Sequence, residues 1–278
     1  ELALMGSSHF GEGSHVRVLS SILNKLEVTE DALECPSSYS RNLVVRRSQL
    51  SAGLSPRKAF SDCSGKHAGM IASCKARGWD YRGYHEASHP MQKRMAELLS
   101  VIYGSAPEHM LTGIDGCGVP VFAASVRAMA ESYRRLTVGS WTGHPEIDDA
   151  LCVLGDAMMA YPEMLSGTNG LCSLLTRYLA PKGLAKVGAD GVYCAGFIRE
   201  GKSYGLALKI ADGNYEASEF AVCAVLERLG VFKADLPEEL QAYCHRHIYN
   251  DHKAVVGSFE LACQERIRPL GSRNGGLV

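Results

Sequence analysis

Apolar positions recur at helical spacing over the first two-thirds of the chain and give way to period-two alternation near residue 184. Residues 1–10 read as a short helix end followed by a turn carrying Ser7, Ser8 and His9. Ser14 can cap a helix in which Val16, Leu19, Leu23 and Leu26 share one face, since side chains three and four apart lie on the same side. Thr29, Glu30 and Asp31 start another short turn of helix, and residues 35–62, rich in serine and holding Pro36 and Pro56, read as loop with one or two short elements. A helix is predicted from about Lys66 to Arg77, stopped by Gly78 in the left-handed conformation. Pro90 opens the next, which carries Met91, Met95, Leu98 and Ile102 and closes at Gly104. Residues 110–114 predict a strand delivering Asp115 and Cys117 at its end, and helices follow over about 121–136, 146–160 and 168–179, the last capped by Thr168. Residues 184–186, 191–198 and 203–211 predict three strands joined by tight turns. Helices over 216–229 and 237–248 and a last element over 253–263 complete the chain. The sum is an α+β fold, an antiparallel sheet flanked by helices, in one domain over residues 1–278.

Composition narrows the function classes. A 46% hydrophobic, 21% charged chain of 278 residues buries a real core, and a net charge of −1 supplies no strong field for nucleic acid or an anionic membrane. No apolar run is long enough to span a bilayer, and the opening residues lack the basic stretch and cleavage site of a signal peptide. The ten cysteines, at 35, 63, 74, 117, 152, 172, 194, 223, 244 and 263, are scattered without a Cys-x-x-Cys pair. In a chain of this size they read as thiols of a reducing, cytoplasmic compartment rather than a disulfide framework.

Chemistry concentrates in two glycine-flanked stretches, Cys63-Ser64-Gly65-Lys66-His67 and Gly113-Ile114-Asp115-Gly116-Cys117-Gly118. Cys63 and Lys66 are three apart, so a helix beginning there would turn both toward one point. Thiolates bind zinc tightly, whereas a lysine must first lose a proton that it holds to a pKa near ~10.4 in water. The competing reading is that both cysteines are buried thiols, the commonest fate of free cysteine. His85-Glu86-Ala87-Ser88-His89 spells the zinc-peptidase pattern, but Pro90 drives His89 out of the helix that chemistry needs, so the two histidines would not share a face. Lys186-Val187-Gly188 sits where a strand begins; a lysine there is more often solvated than catalytic, and Val187 departs from the Ser or Thr of related strand motifs. Ser8 needs a base within hydrogen-bond reach to act as a nucleophile, and a turn serine serves equally often as a helix cap.

Four segments in one order, Ser7-Ser8-His9-Phe10-Gly11-Glu12, residues 63–70, residues 113–117 and residues 186–192, resemble the asparaginase II family of the rhizobial, zinc-containing type. The resemblance runs from residue 1 to about residue 215, with a weaker tail. It implies a fold similar to the serine β-lactamase and glutaminase group and the hydrolysis of L-asparagine to L-aspartate and ammonia. It further implies a Ser–Lys pair of Ser8 with Lys186, Lys209 being the alternative lysine, and substrate-lining roles for His67 and Asp115. Zinc would rest on Cys63, Lys66 and Cys117 with water completing the tetrahedron, and a homodimer is an open expectation. The family's first Ser-x-x-Lys run lies upstream of the Ser-His motif, and Ser55-Pro56-Arg57-Lys58 does not occupy its position because Pro56 interrupts the helix it needs. The chain therefore reads as N-terminally incomplete, with weak turnover. A glutaminase-like amidohydrolase and a zinc-holding piece without catalysis stay open as alternatives.

Overall fold

The computed structural model describes residues 1–139, 142–233, 235–262 and 267–270. The helices of the first stretch are α1 (Leu2–Met5), α2 (Gly13–Lys25), α3 (Leu43–Ser51), α4 (Ser64–Ala76) and α5 (Pro90–Tyr103). A two-stranded antiparallel hairpin follows, β1 (Thr112–Ile114) with β2 (Pro120–Phe122), in the register Thr112↔Phe122 and Ile114↔Pro120. Helices α6 (Val126–Leu136), α7 (Pro145–Ala160) and α8 (Leu171–Tyr178) lead to three strands, β3 (Gly183–Gly188), β4 (Val192–Arg199) and β5 (Lys202–Lys209), paired in the order β3-β4-β5. Helices α9 (Tyr215–Arg228) and α10 (Glu238–Cys244) and a second hairpin, β6 (His247–Tyr249) with β7 (Val255–Ser258), end the described chain. The fold is α+β with small antiparallel sheets, as the change of period predicts. No helix of the described residues is long and apolar enough to cross a membrane.

Helix boundaries follow capping chemistry. Gly104 closes α5 in the left-handed region (φ 64°), which a side chain would disfavour, and the His89 side chain accepts the Met91 N–H at the other end. Helix α2 starts one residue before Ser14: Glu12 is its N-cap, and the Glu12 N–H is taken by His15 Nδ1 at 3.0 Å. Nor does Thr168 cap α8, whose N-cap is Gly170; Thr168 is drawn away to the Glu12 carboxylate, donating its N–H and its hydroxyl at 3.0 Å each. Residues 247–249 form β6 rather than the end of a helix, and β7 replaces the undefined last element as far as residue 258. Cys263, where that element was expected to end, lies outside the described residues.

The chain forms two compact units, residues 1–186 with 195–206 and residues 187–194 with 207–278, and passes between them along β3, β4 and β5. In the first unit α1 packs on α2, α4 and α7, burying Ala3 and Leu4 against a core that includes Leu19, Ile22, Ile71 and Leu165. The approach is close because α4 carries Gly65 where it meets α1: a Cβ there would run into the Leu4 carbonyl oxygen. Helix α6 lies against the sheet over Gly196 and Gly205, where added methyls would strike the carbonyl oxygens of Tyr133 and Ala130. In the second unit α9 packs on α10, and Arg246 binds the buried carboxylate of Glu219 at 2.9 Å.

Candidate active site and metal centre

The Ser8 turn leaves α1 and is clamped from both sides. His9 N–H donates to the Asp62 carbonyl at 3.2 Å and Phe10 N–H to the Ser166 carbonyl at 2.7 Å. Buried Ser166 and Ser173 hold that second support, their hydroxyls 2.8 Å apart. The rings of His9 and His15 stack with centroids 4.9 Å apart, both fully buried. Gly11 N–H donates to His9 Nδ1 at 3.1 Å, which leaves the proton on Nε2 to reach Ser64 Oγ at 3.0 Å. In the same way His15 Nδ1 accepts from Glu12 and Nε2 points at the Glu163 carbonyl at 3.0 Å. Burial, with the added charges of His15 and Lys186, pushes the His9 pKa down to about 3, so His9 is a neutral spacer between the Ser8 turn and the start of α4.

Lys186 comes from β3, which is buried on both faces over 183–187 and so hides the alternation that a one-sided strand would show. Its Nζ lies 3.1 Å from Ser8 Oγ, and the side chain is only 8% exposed. Burial lowers its pKa, opposed by the Cys172 and Cys63 sulfurs and by Asp62. The net shift moves the amine toward its neutral form beside the hydroxyl. Lys209, at the end of β5, is exposed and bonded to the Ile210 carbonyl.

The two glycine-flanked stretches meet one step from this pair. Cys63 is the N-cap of α4 and, with Lys66 and His67, occupies positions i, i+3 and i+4 of its first turn. The hairpin β1–β2 supplies the rest: Asp115 opens a tight turn in which its carbonyl accepts Gly118 N–H at 2.9 Å, presenting Cys117 inward. One ligand atom each from Cys63, Asp115 and Cys117 lies within 4.8 Å of the others, a group that could hold a metal ion. Lys66 Nζ donates to Asp115 Oδ2 at 2.9 Å, and Cys117 Sγ sits 3.4 Å from the same oxygen. Of the two thiols, Cys63 keeps its proton, its pKa raised by the Cys117 sulfur and by burial. Cys117 is the more acidic, favoured as thiolate by the Cys63 thiol, then by His67 and Lys66 against the cost of burial. Burial works against a charged Lys66, but Cys63, Asp115 and Cys117 outweigh it and keep it an ammonium. That ammonium takes the place of a cation in the cluster. Two sulfurs and a carboxylate at this spacing are a donor set suited to zinc.

His67 lies behind the cluster, fully buried, its Nδ1 2.6 Å from the Tyr84 hydroxyl. The peptidase-like histidines stay apart: His85 Nδ1 binds Glu34 at 2.5 Å and His89 Nε2 the Asp80 carbonyl at 2.8 Å. Lys58 of the Ser55–Lys58 run lies in a 3-10 turn and binds the Asp31 carbonyl. Tyr84, Glu34 and Thr168 were invisible as site residues in the sequence, because their partners are 17, 51 and 156 positions away.

A buried lysine bonded to a turn serine, and a cluster of two cysteines, a lysine and an aspartate, thus sit on an α+β scaffold. The family model of L-asparaginase II matches residues 1–261, and the chain belongs to that family. No curated protein matches the chain.

Proposed function

We propose that this protein is an L-asparaginase that converts L-asparagine and water to L-aspartate and ammonia through an acyl-enzyme on Ser8. The 3.1 Å approach of buried Lys186 Nζ to Ser8 Oγ carries this reading. Neutral Lys186 takes the Ser8 proton as Oγ attacks the side-chain amide carbon, and returns it to the departing nitrogen, so that ammonia leaves and an ester remains. Water then attacks the ester, giving up its proton to the same amine, and Ser8 is restored. His9 and the Asp62 and Ser166 carbonyls hold the turn so that Oγ stays aimed at Lys186.

Cys63, Lys66 and Cys117 would hold a zinc ion next to this pair, with Asp115 and His67 bordering the substrate. When bound, the ion supplies a fixed positive charge that helps to orient the substrate. Lys66 must give up its proton to take part, and releasing it frees the Asp115 carboxylate to receive the substrate ammonium. The same reading carries the expectations of cytoplasmic location and a homodimer.

The test is ammonia release from L-asparagine and, side by side, from L-glutamine. Hydrolysis of asparagine, lost in Ser8→Ala, is the expected result. Release from glutamine alone would move the protein to the glutaminase-like alternative, and activity unchanged in Ser8→Ala would remove Ser8 as nucleophile.

A further inference from the structure

Just past the Ser8 turn, the Glu12 side chain ends among donors. Its Oε1 accepts Asn42 Nδ2 at 2.7 Å and the Thr168 N–H at 3.0 Å, and its Oε2 accepts the Thr168 hydroxyl at 3.0 Å. The residue is only 9% exposed, so these bonds stand in for water. The donors come from two segments, 40–42 and 166–168, and both segments also grip the backbone of Phe10. Phe10 N–H donates to the Ser166 carbonyl at 2.7 Å, while the Phe10 carbonyl accepts the Arg41 N–H at 2.8 Å and the Ser40 hydroxyl at 2.6 Å. Ser40 Oγ in turn accepts the Asn42 N–H at 3.1 Å, which links the Phe10 carbonyl to the residue that holds Glu12. The chain two residues beyond Ser8 is thus bonded on both sides, and one carboxylate joins the two supports. The second support has no slack. A Cβ on Gly167 (φ 122°) would lie 2.9 Å from Glu12 Oε1, and a Cβ on Gly170 would lie 2.8 Å from the Phe10 ring.

We propose that Glu12 is a positioning residue for Ser8: its carboxylate ties segments 40–42 and 166–168 together around the Phe10 backbone, and so fixes the turn that aims Ser8 Oγ at Lys186. The proposal rests on the reading of Ser8 as nucleophile for its effect on rate, but the clamp itself is a property of the free chain. Rate is steep in geometry, and a misplacement of about 1 Å arising away from the chemistry can cost on the order of 100-fold. A buried acceptor that loses its donors pays for its lost solvation, so the segments would shift until the carboxylate is satisfied again. Asn42 offers a way to release the clamp alone. Its Oδ1 caps α3 by accepting the Val44 and Val45 N–H groups at 3.0 and 3.3 Å, while its Nδ2 serves Glu12. An aspartate there keeps the cap and replaces the donor with a second acceptor.

The test compares Asn42→Asp with wild type in two readouts, asparagine kinetics and the hydrogen exchange of the Phe10 amide measured by NMR without substrate. We expect kcat to fall by about 100-fold with KM within about twofold of wild type. Phe10 exchange should quicken on the order of tenfold, because the local opening that frees this amide becomes easier. Thr168→Val, which removes the hydroxyl donor and leaves the N–H, should show both effects in smaller measure. Glu12→Gln should keep most of the rate, since its amide oxygen can take the place of Oε1 while the Thr168 hydroxyl turns to accept from the amide nitrogen. An unchanged kcat, a change in KM alone, or unchanged Phe10 exchange in Asn42→Asp would each overturn the proposal. Should Asn42→Asp fail to fold, Thr168→Val decides on the same two readouts. A wild-type chain that hydrolyses no asparagine, with Phe10 exchange quickened in the variants, would sink the Ser8 reading alone and leave the clamp standing.

Discussion

At the scale of single residues, burial shifts two basic groups near the Ser8 turn toward their neutral forms. Lys186 is the clearest, because a buried amine with a lowered pKa costs stability while it is charged and costs less as pH rises toward its unfolded value near ~10.4. Lys186→Met should therefore abolish asparagine hydrolysis, by on the order of 10³-fold or more, while leaving the thermal midpoint near pH 7 unchanged or slightly raised. Lys209→Met, at an exposed position, should leave the rate within about twofold; the reverse ranking in an ammonia-release assay would move the base to Lys209. His9 makes a second case. Its pKa is pushed down to about 3 by burial first, so the unfolded chain, whose histidines titrate near ~6.5, takes up a proton that the folded chain refuses. Stability tied to His9 is complete above about 6.5 and drains away as pH falls toward 3. Denaturant midpoints of wild type should drop between pH 6.5 and 4, and His9→Gln should flatten that slope at the expense of a lower plateau; parallel slopes would deny His9 this part.

At the scale of elements, glycines govern how closely helices approach. Helix α6 can lie on β4 because Gly196 offers no Cβ to the Tyr133 carbonyl. Gly196→Ala forces a methyl into a backbone oxygen that has nowhere to go, and overpacking of that kind costs about 1–3 kcal/mol or somewhat more. Its urea midpoint should fall accordingly, whereas Gly53→Ala, in open space, meets only the strain of a left-handed backbone (φ 66°) and should cost less. Most helices were legible because caps and apolar spacing are local: Pro90 and Gly104 bracket α5 as they stand in the sequence. The short strands β2 and β6 were not, since three residues carry too little alternation and their pairing comes from a partner strand.

At the scale of the whole molecule, the site joins segments from distant parts of the chain. The metal-free cluster carries a proton on Cys63 and another on Lys66, so zinc held by both sulfurs and that amine should release about two protons per ion. Calorimetry in buffers of different ionisation enthalpy measures this number, and affinity should weaken steadily on acidification. Release of none would mean that Lys66 and Cys63 stay protonated and are not ligands. Cys63→Ser should lose most of the bound metal by elemental analysis, as should treatment with a strong chelator.

The sequence by itself carried the family and the α+β class, and singled out Ser8, Cys63, Lys66, Cys117 and Lys186 as candidates, since motifs in fixed order survive without any knowledge of folding. It preferred Lys186 over Lys209 through the resemblance, while alternation turned both away from their apolar neighbours and chose neither. Tertiary structure separated them: β3 is covered on both faces and β5 is not, so one lysine is driven against Ser8 and the other into water. It also decided Thr168, which a local rule made a helix cap and a distant carboxylate claimed instead. The same holds for Tyr84, a buried phenol whose part depends on a histidine, a backbone amide and a glutamine brought together only by the fold. Local signals record what a residue can do, and burial beside a particular partner determines which of those things it does.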